Sequence, residues 1–186
     1  MKKALLLIIS LFIAQASLAY ETVLIDFPKD EGWHSVYYGV QDNEAILQYV
    51  PAGQTAKNWT RSIVFHSYKN NGNPDNNDSA STFMNTTTAQ MESQNSSQPY
   101  RYIKYSDEDS IATRCVVKNA YTPTQCDIYR ASISYEGLIS MDYINKNVSD
   151  FKANYDMWYQ IIQGIRIYYS YYRTDRILDK ATSFEI

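Results

Sequence analysis

From residue 22 onward, apolar and polar positions alternate over long stretches, the period of a strand with one face buried. Val23, Ile25 and Phe27 share one face of a first strand, which Pro28 and the polar cluster 29–32 end. Positions 33–40 resume the period, with Val36, Tyr38 and Val40 together, and the turn 41–43 leads into a third strand at 45–50. That is a β-meander. After the breakers Pro51 and Gly53, the β-branched and aromatic run 62–68 predicts a fourth strand. Positions 69–78 are nearly all Asn, Gly, Pro and Asp, and predict an exposed loop.

The period then lengthens. Ala80, Phe83, Met84, Thr87 and Met91 recur at steps of three and four, one face of a helix that Asp78 or Ser79 can cap. Four more strands follow at 100–105, 111–118, 126–135 and 138–144, joined by turns at 107–109, around Pro123 and at 136–137. Phe151, Tyr155, Trp158, Tyr159, Ile162 and Ile165 line one stripe of a second helix, capped by Ser149 or Asp150, with Lys152, Asp156 and Gln163 facing water. Short connections between nearly all strands predict an α+β domain: a mostly antiparallel sheet packed by two main helices. It is expected to span 20–167 as a single domain, with 168–186 a tyrosine-rich carboxy-terminal extension.

Positions 1–19 read as a secretory signal peptide: Lys2 and Lys3 precede an apolar run, and the small residues Ser17 and Ala19 close it. No cysteine follows that junction, so no lipid anchor is expected. Without the two leader lysines, 15 of the 17 basic residues face 20 acidic ones, a net charge of −5. Such a chain lacks the basic stripe that displaces counterions from nucleic acid. No later run approaches the ~18 apolar residues of a membrane span. The expected compartment is therefore the periplasm or the outside of the cell.

The two cysteines agree with export. Cys115 and Cys126 flank a turn-rich segment, and a hairpin centred between Ala120 and Tyr121 sets them opposite each other as a disulfide. Zinc would need two more ligands close by, and a redox pair usually shows C-x-x-C. The same register puts Arg114 opposite Asp127, read as a charge pair on a solvated face.

Catalytic motifs are absent: there is no G-x-S-x-G, H-E-x-x-H, P-loop or glycine-rich dinucleotide turn. His34 and His66 each share a strand face with apolar neighbours and read as half-buried, hydrogen-bonded histidines. Asp107 and Asp109 are hard oxygen donors that could meet calcium, although neither lies in an EF-hand spacing; no metal or cofactor is assigned. The unusual feature is aromatic: 18 tyrosines and 3 tryptophans exceed the needs of one core. The pairs at 37/38, 168/169 and 171/172 must turn one ring outward if they lie in strands. Tyr37, Tyr68, Tyr169 and Tyr172 are the binding candidates, for a protein or a glycan. Trp59 and Trp158 are read as structural anchors.

The segment Tyr49-Val50-Pro51-Ala52-Gly53-Gln54, followed by Asn58-Trp59-Thr60 and a strand, resembles one found in small uncharacterised exported proteins of Gram-negative bacteria, with the pattern V-P-x-G-[EQ] then N-W-[ST]. The order of elements, from Gly32-Trp33 to the carboxy-terminal amphipathic helix, is similar to the Mog1/PsbP-like α/β/α sandwich. The Lys, Asn, Ile and Tyr bias behind a Sec-type leader resembles the small type II secretion substrates of Legionella, which implies a virulence-associated role. The resemblance brings no catalytic residues.

The resulting expectation is a secreted or periplasmic, non-enzymatic binding module, an effector acting outside the bacterium. One alternative is a carbohydrate-binding module. The other is a hydrolase using His34 or His66 with a carboxylate such as Asp107 or Asp142.

Overall fold

The alternating runs become strands, and most of them join one antiparallel sheet. The structure, a computed structural model, describes residues 20–69, 79–94, 101–104, 106–116, 123–170 and 182–185. The chain order is β1 (Tyr20–Ile25), β2 (His34–Gln41), β3 (Glu44–Val50), β4 (Arg61–Lys69), α1 (Ala80–Gln94), β5 (Arg101–Lys104), β6 (Asp109–Val116), β7 (Gln125–Ile133), β8 (Gly137–Asn145), α2 (Val148–Ala153), α3 (Tyr155–Gly164), β9 (Arg166–Ser170) and β10 (Thr182–Glu185). The expected leader 1–19, positions 70–78 of the loop, 117–122 of the hairpin turn and 171–181 of the tail lie outside the described residues.

Seven strands pair in the order β2, β3, β4, β8, β7, β6, β5. The meander β2 to β4 runs outward-in, α1 carries the chain to the far edge, and β5 to β8 run back until β8 pairs with β4 from Arg61↔Asn145 to Lys69↔Gly137. A smaller sheet has the order β10, β1, β9. Tyr168 on β9 pairs with Thr22, so the strand runs through the 167/168 boundary drawn from the sequence.

Alternation along each strand sends two apolar sets to opposite faces. On one face Leu47, Tyr49, Ile63, Phe65, Ile128, Ile139, Met141 and Tyr143 form the main core with α2, α3 and β1. On the other, Ala112, Tyr129, Ala131 and Leu138 pack under Ala80 and Met84 of α1. Helices therefore cover both faces, and the class is α+β. Ser79 caps α1, its hydroxyl accepting from the Thr82 amide at 3.1 Å. Asp107 ties that helix down, taking Ser81 Oγ at 3.0 Å on its side chain and the Ala80 amide at 2.7 Å on its carbonyl.

The second predicted helix is two. α2 ends at Ala153 and α3 begins at Tyr155: Asn154 between them leaves helical geometry (φ −112°, ψ 13°), while its side-chain amide donates to the Asp150 carbonyl (3.1 Å) and carboxylate (3.0 Å). The cap also differs from the expected Ser149 or Asp150: Asn147 is the N-cap, accepting from both of those amides at 3.1 Å. At the far end of α3, Arg130 Nη1 donates to the carbonyls of Ile162, Gln163 and Ile165, each at 2.9 Å, and so satisfies carbonyls the helix leaves open.

Cys115 and Cys126 are joined by a disulfide across β6 and β7, directly opposite each other as the hairpin register requires. Their separation of 11 residues implies a chain-entropy contribution of about 2 to 3 kcal/mol. A Cys115→Ser/Cys126→Ser variant is expected to lose that amount in denaturant unfolding, and an unchanged midpoint would remove the disulfide from the stability account. Arg114 faces Asp127, but the pair is buried rather than solvated. It lies on the face α1 covers, with Arg114 Nε donating to Asp127 at 2.7 Å and the guanidinium 4.3 Å above the Tyr129 ring.

Candidate functional site

Polar side chains gather where the ends of β4 and β8 meet the start of α2. A cleft of about 380 Å³ there is lined by Glu31, Gln54, Thr60, Arg61, Asn145, Asn147, Asp150 and Asn154. Every one is polar. Glu31 comes from a short helical turn, Lys29–Glu31, that Gly32 ends with φ +57°. A Cβ on Gly32 would stand 3.0 Å from that of Ala52, so glycine permits both the turn and the close approach of the two loops. The Ala52 amide then donates to the Glu31 carbonyl at 2.9 Å.

Hydrogen bonds set the lining in place. Glu31 accepts from Arg61 Nη1 at 2.8 Å and from Trp33 Nε1 at 2.7 Å. Burial works against the Arg61 charge, but the Glu31 carboxylate outweighs it and holds the guanidinium pKa above its ordinary value. Gln54 Oε1 accepts from the Thr60 amide at 2.7 Å while Nε2 donates to Thr60 Oγ1 at 3.1 Å. Asn145 Nδ2 donates to Asp150 at 2.7 Å and to the Tyr143 hydroxyl at 3.1 Å. Burial pushes the Tyr143 hydroxyl pKa up, so it remains a neutral donor and acceptor. Both carboxylates already accept two side-chain donors each, the arrangement of groups that position rather than attack.

Lys146 and Trp59 stand beside the cleft. Lys146 Nζ lies 3.3 Å from the centroid of the Trp59 ring and donates to its carbonyl at 3.1 Å, and burial lowers the ammonium pKa. Trp59, read from sequence as a core anchor, instead packs under this ammonium, outside both apolar clusters. Trp158 is the buried anchor, stacked 4.1 Å from Tyr143 and edge-on at 5.2 Å to Trp33.

The other sequence candidates scatter. Tyr37 is exposed on β2, two strands from Tyr68 and offset along the sheet. Tyr68 is half-buried, stacked on His66 and packed against Phe83, and burial pushes its hydroxyl pKa up. Tyr169 pairs through its backbone with Glu21; its side chain and all of Tyr172 lie outside the described residues. His34 is exposed, with Nδ1 3.3 Å from the Gly32 carbonyl, and so is not the half-buried histidine expected. His66 is half-buried as expected, with Nδ1 2.6 Å from Glu44. Ser140 sits opposite His66 but is buried, and it bonds the Tyr68 and Tyr129 hydroxyls. A histidine, a carboxylate and a serine thus share one face with the serine closed off from substrate. Asp142 faces Arg114 at 3.4 Å.

Asp107 braces α1, and Asp109 takes Arg130 on both oxygens at 2.9 and 2.7 Å. Among the described residues no group of three or more His, Cys, Asp or Glu could hold a metal ion. A wider recess of about 460 Å³ beside Asp109 is lined by Arg130, Arg166 and Tyr168, and its central charges are paired in this way.

The sequence offered Gln54 and Thr60 for their resemblance and Asp150 as a helix cap without placing them at a site, and it did not single out Glu31, Arg61, Asn145, Asn147 or Asn154. The available signal was Asn145, Asn147, Asp150 and Asn154, three amides and a carboxylate within ten residues of a strand end. No protein-family model matches this chain, and neither a curated protein nor a solved structure matches it significantly.

Proposed function

We propose that this protein is an exported, non-enzymatic binding module whose polar cleft takes a hydroxyl-rich ligand, a glycan or one of its fragments. The observation that carries this reading is the wholly polar lining by Gln54, Thr60, Arg61, Asn145, Asn147, Asp150 and Asn154. Ligand pockets are ordinarily mostly apolar with a few polar groups, so an apolar or aromatic ligand would find no partner surface here. Vicinal hydroxyls are matched by amides and carboxylates, which donate and accept in pairs, and by the guanidinium fork.

Export is supported by the intramolecular disulfide, which suits an oxidising compartment. Helices on both faces of the sheet support the resemblance to a Mog1/PsbP-like sandwich. Secretion through a type II machine and a virulence-associated role extend this reading, and fractionation of strains with and without that machine tests them.

Glycan-array screening followed by calorimetry on the best ligand tests the cleft. Arg61→Lys keeps the charge and loses the planar fork, and Asn154→Ser shortens the amide. Each is expected to weaken binding roughly tenfold, the worth of one or two hydrogen bonds, with little change in unfolding midpoint. Tyr37→Ser should leave affinity alone. Binding that survives both cleft variants and disappears with Tyr37→Ser would move the site to the sheet edge, and an array without any hit would overturn the glycan reading.

A further inference from the structure

Among the described residues the outermost strand of the large sheet, β2, pairs only with β3, which leaves its other side without a neighbouring strand. Exposed edges are normally protected by charge, proline or bulges. The other edge strands carry such charges: Arg101 and Lys104 in β5, Arg166 in β9, Glu185 in β10. From Ser35 to Gln41, β2 carries none. It exposes Tyr37 (49%), Tyr38 (60%) and Val40 (61%). A bulge between Ser35 and Tyr37 interrupts the ladder at one end and leaves Tyr37 to Gln41 regular.

The free backbone groups follow from the hairpin. The two-residue turn at Asp42 and Asn43 makes Gln41↔Glu44 the closing hydrogen-bonded pair, so Gly39 and Tyr37 also point their amides and carbonyls at β3. Tyr38 and Val40 point theirs outward. Those two residues, separated by Gly39, form a self-complementary set. An antiparallel copy related by a two-fold axis at Gly39 sets each Tyr38 opposite the partner's Val40 as a hydrogen-bonded pair. The symmetric ladder has four backbone hydrogen bonds. It also places the two most exposed large hydrophobic side chains of β2 against each other, on one face, as aromatic and β-branched pairs, a favoured cross-strand combination. On the opposite face the Tyr37 ring lies across Gly39, its hydroxyl 2.5 Å from where a Cβ would stand, so only two glycine backbones meet on the axis.

We infer that β2 is a homodimerisation edge, pairing Tyr38 with Val40 of a second copy about an axis through Gly39 and continuing the sheet from one chain into the next. The second copy is favoured over a foreign strand because the free donors, acceptors and side chains match themselves under that single operation.

Sedimentation velocity of the full chain over a wide concentration range should show reversible dimer formation. Tyr38→Lys should raise the dissociation constant roughly tenfold or more, from two lost cross-strand pairs and two cations brought to the edge, with an unchanged unfolding midpoint. Gly39→Cys, on the axis, should oxidise to a covalent dimer, the Tyr37 hydroxyl swinging aside. Gln41→Cys, which would face Tyr37 of the second copy, should not. If Gly39→Cys fails to fold, the Tyr38→Lys comparison still decides. A chain monomeric at every concentration, a dimer indifferent to Tyr38→Lys, or equal cross-linking by Gln41→Cys would overturn the proposal. A monomer that captures an added extended peptide along β2 would replace the second copy by a foreign strand.

Discussion

Trp158→Ala is expected to lower the unfolding free energy by about 3 to 5 kcal/mol, a large part of the ~5 to 15 available to a domain of this kind. The side chain is fully buried, 4.1 Å from the stacked Tyr143 ring and 5.2 Å from Trp33, which in turn stacks on Phe27. Alanine there opens a cavity lined by rings that belong to β8 and to the β1–β2 connection. Neighbouring side chains held on two separate elements have little freedom to collapse into it. Among the described residues Trp158 Nε1 has no hydrogen-bond partner, so Trp158→Phe removes an unsatisfied donor along with volume and should cost much less than alanine. Urea titrations of the three proteins read this directly. An unchanged midpoint for Trp158→Ala would mean that the ring is outside the core.

Arg114→Met should cost a similar amount at neutral pH, about 3 to 5 kcal/mol, because it strands two carboxylates in the space under α1. Arg114 is completely buried between Asp127, at 2.7 Å, and Asp142, at 3.4 Å. Burial opposes its charge, yet the two carboxylates outweigh burial and hold the guanidinium pKa above its ordinary value. One cation cannot fully compensate two anions. Burial and the like charge of Asp127 outweigh Arg114 at Asp142 and hold that carboxyl well above the usual range.

A raised folded pKa means that the folded state keeps a proton the unfolded chain gives up. The stabilisation from Asp142 is therefore complete below the ordinary carboxylate pKa, near ~3.9, and is lost as pH rises through the higher folded value. Midpoints of the wild type should fall across that window, and Asp142→Asn should flatten the fall. The cost of Arg114→Met should shrink at acid pH as its former partners protonate. A cost for Arg114→Met that does not vary with pH would show that packing on Tyr129, rather than charge, keeps the arginine there.

Period-two alternation placed most of the sheet. Runs such as 62–68 and 138–144 correspond to β4 and β8, central strands buried on both faces over much of their length, where β-branched and aromatic residues pack well. The disulfide was legible for a related reason: in a hairpin, equal distance from the turn sets the register, and Cys115 and Cys126 are equidistant from its centre. The helix stripe containing Trp158 was equally plain. Its division at Asn154 was not, since a change of backbone angle at one polar residue leaves the apolar spacing intact.

What the sequence by itself determined, then, is what depends on spacing along the chain: strand and helix periods, the cysteine register, and the opposition of Arg114 to Asp127. Tertiary structure decided everything that depends on which segments become neighbours. Hairpin register faces Arg114 with Asp127, but whether water or a helix covers the pair is decided by the path of α1 from β4 to β5. Tyr68 and Tyr37 share an alternation pattern, yet α1 shelters the first and the open edge exposes the second. The polar cleft assembles Glu31, Gln54, Arg61 and Asn145 from segments as much as 114 residues apart, brought together by β4 pairing with β8. Local patterns record which face of an element is apolar. They carry no record of which distant polar ends will meet, because that is settled by the burial of the apolar faces between them.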